Sequence, residues 1–160
     1  MEKGFEIMNN NSFTVSADLD EYEVKLYGTL EVEGFSGAGS GYFSKFHVFD
    51  FCENTIKLAE SMEGSSELLG QLINNDGNVL LTSFAIRVYP LCRSKLNGVI
   101  GMHITLGKYP YTDCREEEML KVSGEIKTRN QHILQFAKDI KKLFSGEIKE
   151  AALNKGVDII

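Results

Sequence analysis

The densest candidate for chemistry is Gly34-Phe35-Ser36-Gly37-Ala38-Gly39-Ser40-Gly41, four glycines in eight residues. Such spacing marks backbone that bends sharply or comes close to something. A dinucleotide fingerprint needs a glycine-rich turn that opens a helix. Here Gly37, Gly39 and Gly41 recur by twos and lead into a strand-like run, so that motif is not completed. A phosphate loop would end in Gly-Lys-Ser/Thr, which is missing. Gly34-Phe35-Ser36-Gly37-Ala38 approaches a nucleophile elbow, but Ala38 stands where the second glycine belongs and no helix follows to hold Ser36. The segment reads as a turn or bulged edge whose small residues permit tight packing.

His47, His103 and His132 lie far apart and in no His-x-His or His-x-x-x-His spacing, so they read as structural or surface groups and not as metal ligands. Cys52, Cys92 and Cys114 form an odd set without close pairs, which argues against a disulfide framework or a cysteine zinc site. The sequence therefore assigns no catalytic residue, no cofactor and no metal.

Carboxylates form two clusters: Asp18, Asp20, Glu21 and Glu23, and then Asp113, Glu116, Glu117 and Glu118. Calcium loops need regular ligand spacing and a turn glycine, and neither cluster has them. Both read as partner-facing patches or as solvated loops. The net charge of −6 is unevenly spread. Residues 1–67 hold 13 acidic and 4 basic residues, residues 68–127 hold 6 and 7, and residues 128–160 hold 4 and 6. That distribution argues against nucleic acid, whose phosphates need clustered Lys and Arg. It suits a basic protein partner steered to the acidic N-terminal half.

The elements that would carry these groups are mostly strands. Phe5, Ile7, Phe13 and Val15 alternate with polar residues; Tyr22, Val24 and Leu26 share one face, and Leu30 and Val32 continue it, with Gly28 read as a bulge. Tyr42 to Phe49 is a β-rich run. A helix is expected from an Asp50 cap with Glu53 as its capping-box partner, ending at Gly64. Asp76-Gly77 is the strongest turn signal, joining Glu67–Ile73 to Val79–Tyr89 in a hairpin. Further strands are expected at Val99–Leu106 and Glu117–Lys127, separated by a loop around Pro110 and Asp113. A second helix carries the stripe Ile133, Phe136, Ala137, Ile140, Leu143, with Thr128 and Gln131 as its capping box and Gly146 as its stop. Residues 147–160 read as a frayed helix or a final extension. The expectation is an α+β single domain over residues 1–160, a largely antiparallel sheet or sandwich of about seven strands with two packed helices, and no internal repeat. The N-terminus has no long apolar run, so no signal peptide or membrane span is expected, and the cytoplasm is the expected location.

Gly-Phe-Ser-Gly-x-Gly-x-Gly-Tyr-Phe at 34–43, a helix ending near Ser61-Met62-Glu63-Gly64, and then Ser66-Glu67-Leu68-Leu69 resemble small bacterial immunity proteins of polymorphic-toxin and contact-dependent inhibition systems. The resemblance covers roughly residues 20–145. It implies a protein that binds a cognate toxin domain, often a nuclease, and neutralises it by covering its active site. It transfers no individual binding residue. The alternative expectation is a non-catalytic binding or assembly module of an unrelated system, with exposed sheet edges that pair copies into a homo-oligomer.

Overall fold

A computed structural model describes residues 11–73, 75–91, 98–108 and 115–154. The expected strands at Phe5 and Ile7, the Pro110–Asp113 loop, Cys92 and Cys114 lie outside the described residues. Eight strands and two helices follow in the order β1 (Ser12–Leu19), β2 (Glu23–Val32), β3 (Phe35–Ser44), α1 (Lys45–Ser61), β4 (Ser66–Ile73), β5 (Val79–Pro90), β6 (Val99–Lys108), β7 (Leu120–Arg129), α2 (Asn130–Ser145) and β8 (Glu150–Asn154). The fold is α+β. Two antiparallel four-stranded sheets have the orders β3-β2-β1-β8 (sheet A) and β4-β5-β6-β7 (sheet B).

Strand alternation sets the inner faces, since side chains on a strand point to opposite sides in turn. Val24, Leu26 and Leu30 of β2 are buried, as are Phe84, Ile86 and Val88 of β5. Phe13, Phe84, Phe43 and Phe136 form the centre, with ring centroids 5.7–6.1 Å apart along the chain of contacts. Such tilted and edge-on pairs add to the area they bury. Each helix lays its apolar stripe on this core: α1 buries Val48, Phe51, Cys52, Thr55 and Leu58, and α2 buries Ile133, Phe136, Ala137, Ile140 and Leu143.

Those two stripes coincide at a constant offset of 85 residues, and the order of elements repeats along the chain, at shorter offsets in its earlier strands. The element order β-β-β-α-β occurs twice. The pairs β2–β3 and β6–β7 each match ten residues with ten, from Glu23–Ser44 to Val32–Phe35 and from Val99–Arg129 to Lys108–Leu120. The last strand of each unit joins the other unit's sheet: β4 pairs with β5, and β8 with β1. No repeat is expected from the sequence because few residues coincide. Phe13 with Phe84, His47 with His132, Phe51 with Phe136 and Leu58 with Leu143 are among the identities. What repeats is the pattern of burial.

The glycine run begins in the β2–β3 turn at Gly34 and then forms most of the edge strand β3, in unbroken register with β2 and so without a bulge. Gly28 is no bulge either, and its missing side chain leaves room for the rings of Phe84 and Phe13. On β3, the space beside Gly37 is filled by Val122 of β7, beside Gly39 by Ser83 and Gly107 of β5 and β6, and beside Gly41 by Phe84 of β5. The ring of Phe43 presses on Gly70 of β4. Successive inward residues of one strand therefore meet successive strands of the other sheet, so β3 runs across the strands of sheet B and not along one of them. The glycines let one backbone lie directly on another. A Cβ at Gly39 would sit 2.6 Å from the Ser83 carbonyl oxygen and 3.0 Å from the Gly107 nitrogen.

Several boundaries differ from the sequence expectation. α1 starts at Lys45, not near Asp50, because the Ser44 hydroxyl caps it by accepting from the His47 N–H at 3.1 Å. The capping box expected at Thr128 is not formed: Thr128 lies in β7 and Arg129 is the N-cap, with no side-chain cap bond. Glu116–Glu118 form a single 3-10 turn before β7. Residues 150–154, read as frayed helix or extension, are the edge strand β8.

The β2–β3 connection has two residues, Glu33 and Gly34, at φ 51° and 85°, the positive pair a type I′ turn requires. Glu33 is the misfit, because a branched-free but bulky side chain disfavours the left-handed region that Asn tolerates. Glu33→Asn is expected to stabilise the protein by roughly 0.5–1 kcal/mol. Urea denaturation would show this as a higher midpoint at unchanged slope.

Candidate partner-binding surface

The β1–β2 connection is a tight turn. The Asp20 N–H bonds the Glu23 carbonyl at 3.0 Å, and the Asp20 carboxylate accepts from the Glu21 N–H at 2.6 Å. Pairing then fixes what stands beside it: Glu23 lies opposite Ser44 and Lys25 opposite Tyr42. α1 leaves β3 at this point, and the Lys45 ammonium donates to the Glu21 carbonyl at 3.3 Å. Turn, strand end and helix start thus meet at one end of sheet A.

Aromatic side chains stand out from this end. Tyr22 is 77% exposed, Phe46 75% and Tyr42 65%. Behind them Tyr27 donates to the Asp18 carboxylate at 3.1 Å. The Lys25 ammonium lies 4.8 Å from the Tyr27 ring centroid and 5.2 Å from that of Tyr42, within cation–π range. Its pKa is raised, first by its interaction with the Tyr27 hydroxyl. The result is a group of exposed rings bordered by Asp18, Asp20, Glu21 and Glu23.

The second predicted cluster is elsewhere. β7 crosses sheet A where Val122 meets Gly37 and Gly124 meets Val32, at the far end of β2. Seven residue steps along β2 separate Glu23 from Leu30, which lies opposite Gly37, roughly 20 Å at strand rise. Glu116–Glu118 precede that crossing, and Arg115 offsets their charge, with its Nε 3.0 Å from Glu118 Oε1 and a terminal nitrogen 3.8 Å from Glu117. Asp113 lies outside the described residues. The structure gathers Asp18, Asp20, Glu21 and Glu23 around the β1–β2 turn and sets Glu116, Glu117 and Glu118 on a separate 3-10 turn before β7.

The aromatic members went unassigned in the sequence. Tyr22 shares parity with Val24 and Leu26 and so reads as core, yet it sits in the turn before the strand begins. Tyr42 and Phe46 read as one strand because the Tyr42–Phe49 run is rich in β-formers. The signal that separates them is Ser44, a helix N-cap three residues before His47.

Other polar groups are dispersed. Among the described residues, no three His, Cys, Asp or Glu side chains are placed to hold a metal ion. His47 and His132 occupy the same position in the first turns of α1 and α2. His103 lies on the outer face of sheet B between Arg87 and Glu125. Beside it Tyr89 donates to the Glu125 carboxylate. Burial first, and then that carboxylate, push the Tyr89 hydroxyl up to about 12. Ser36 and Ser40 lie mid-strand, opposite Glu31 and Tyr27.

Cys52 is buried against the core, and burial pushes its thiol up to about 12, with nearby Lys141 acting in the opposite direction. The thiolate is the reactive form. Iodoacetamide at pH 8 is therefore expected to leave Cys52 unmodified in the folded protein and to alkylate it once urea unfolds the chain, as read by peptide mass spectrometry. Because the folded value lies above the unfolded one, Cys52 leaves stability intact at neutral pH and lowers it as pH rises from about 9 toward 12.

No helix among the described residues is long and apolar enough to cross a membrane. Compared with known proteins, the chain matches no family model, no curated protein and no solved structure.

Proposed function

We propose that this chain is an immunity protein that docks a cognate bacterial toxin domain through the aromatic and acidic end of sheet A. The observation that carries the reading is the group Tyr22, Tyr42 and Phe46, each about two-thirds exposed or more, bordered by four carboxylates. Rings that bury on contact supply most of the binding energy in protein interfaces, and a charged rim supplies steering and specificity. A basic toxin domain, such as a nuclease, is the complementary partner. Inhibition then needs no bond to be made or broken, because the docked chain covers the toxin's active site. The sequence pattern at 34–43 and 61–69 supports the same reading.

The test is co-expression with the C-terminal toxin domain encoded beside the gene. Growth is expected to be rescued by the native chain and lost when Tyr42 and Phe46 are both changed to Ala. Association of the purified pair is expected to slow steeply between low and physiological salt. Rescue that survives the double change, or association indifferent to salt, overturns the reading.

A further inference from the structure

We propose that the free edge of β3 is a strand-addition site that takes a single extended segment of a protein partner. The proposal rests on the reading that this end of sheet A docks a protein, and it names how part of that partner is held. β3 lies at the edge of sheet A and pairs only with β2 among the described residues. In a two-residue hairpin the closing pair, Val32 and Phe35, exchanges both backbone bonds, and pairing then alternates. Odd-numbered residues of β3 therefore bond to β2. Ser36, Ala38, Ser40 and Tyr42 aim their N–H and C=O groups outward, and none of the four has another backbone partner among the described residues. An unpaired row of that length is a template for an added strand.

The surroundings fit one strand. A groove of about 480 Å³ runs along this edge. Its floor is the nearly bare backbone of residues 38–41, and Ser83, Gly107 and Lys108 of sheet B form its wall. Past the contact at Gly39, β5 continues through Val79–Thr82 and β6 ends with Lys108, and together they form a short ledge beside β3. Lys25, Tyr27 and Tyr42 line the groove as well, so it is continuous with the aromatic surface. The ledge also selects the occupant. A second copy of this chain pairing β3 with β3 would bring its own sheet B into the space the ledge fills. A segment with no layer behind it, a tail or a projecting arm, avoids that clash. Lys25 and Lys108 favour an acidic side chain within that segment.

The repeat supplies an internal comparison. Positions 36, 38, 40 and 42 of β3 correspond to Lys121, Ser123, Glu125 and Lys127 of β7. Charged side chains at an edge discourage strand addition. β7 carries three of them, whereas β3 carries Ser36, Ala38, Ser40 and Tyr42.

A phage-displayed library of random dodecapeptides, selected on the intact protein, tests the site. Selected peptides are expected to slow hydrogen exchange at the Ser36, Ala38, Ser40 and Tyr42 amides at least tenfold and to leave β7 unchanged. Ser40→Pro removes one outward N–H without touching the β2 ladder, so it is expected to keep the native melting temperature and weaken the peptides at least tenfold. Should Ser40→Pro unfold, Ala38→Pro makes the same cut, and the exchange pattern on the native chain decides independently. Peptides that protect only Tyr22 and Phe46, or that bind the proline variants undiminished, overturn the site. Growth rescue that survives Ser40→Pro also counts against the edge while leaving the immunity reading standing. Protection along β3 without any rescue sustains the edge and removes the immunity reading.

Discussion

Gly39→Ala is expected to destabilise the protein by about 3 kcal/mol, the upper end for forcing an atom into a packed interior. Strand propensity alone gives the opposite sign, since alanine restricts the unfolded chain and a glycine inside a strand is unfavourable by roughly 0.5–1 kcal/mol. Packing decides. The new Cβ would lie 2.6 Å from the Ser83 carbonyl oxygen and 3.0 Å from the Gly107 nitrogen. Both are backbone atoms of paired strands and cannot rotate away. A loss of that size is a large share of a typical domain's 5–15 kcal/mol. Gly37→Ala is the control. Its Cβ meets Val122 Cγ1 at 2.6 Å and Val122 Cβ at 2.9 Å; only the first can rotate away, but both belong to a side chain that can be truncated, so the expected loss is smaller, roughly 1–2 kcal/mol. Adding Val122→Ala should recover part of it. Urea titrations of the four proteins check the order, and Gly39→Ala more stable than the native chain would mean that β3 does not rest on sheet B.

The same glycines show how much of the fold the sequence discloses. Alternation in β2 and β5, the Asp76-Gly77 hairpin and the α2 stripe are local, and each is readable because its period or turn chemistry is complete within about ten residues. The glycine segment is not local. Glycine has poor strand propensity, and what makes it a strand is a second sheet arriving from residues 83, 107 and 122. α1 begins inside an aromatic run because one serine caps it, which competes poorly with eight residues of apparent β pattern. β8 is five residues long and acquires its register only from β1. The repeat is hidden for a related reason. Cys52 and Ala137, or Thr55 and Ile140, fill equivalent core positions, and a core accepts such exchanges when volume is conserved nearby. Of the candidate site, the acidic half is visible as charge. The aromatic half depends on where a turn stops and a helix starts, and the placing of the two acidic clusters on separate turns depends on a sheet crossing that no local pattern encodes.

That separation leads to the second large effect. If partners dock at the aromatic end of sheet A, Phe46→Ala and Tyr42→Ala should each weaken the complex by about 2–4 kcal/mol, roughly thirty- to a thousandfold. Both rings are exposed in the free chain, so neither change should alter its melting temperature by more than a surface substitution does. Most of the loss should appear as faster dissociation. Asp20→Asn and Glu21→Gln should act differently. They lie on the rim, so they should slow association severalfold at low salt, leave dissociation nearly unchanged, and lose their effect at high salt. Glu117→Gln, on the separate turn before β7, should change neither rate. Surface plasmon resonance at two salt concentrations separates the three classes. A Glu117→Gln effect as large as that of Phe46→Ala would extend the docking surface to the turn before β7. Equal effects of all the carboxylates, with none from the rings, would reduce the interaction to long-range attraction, for which a patch of exposed aromatics has no use.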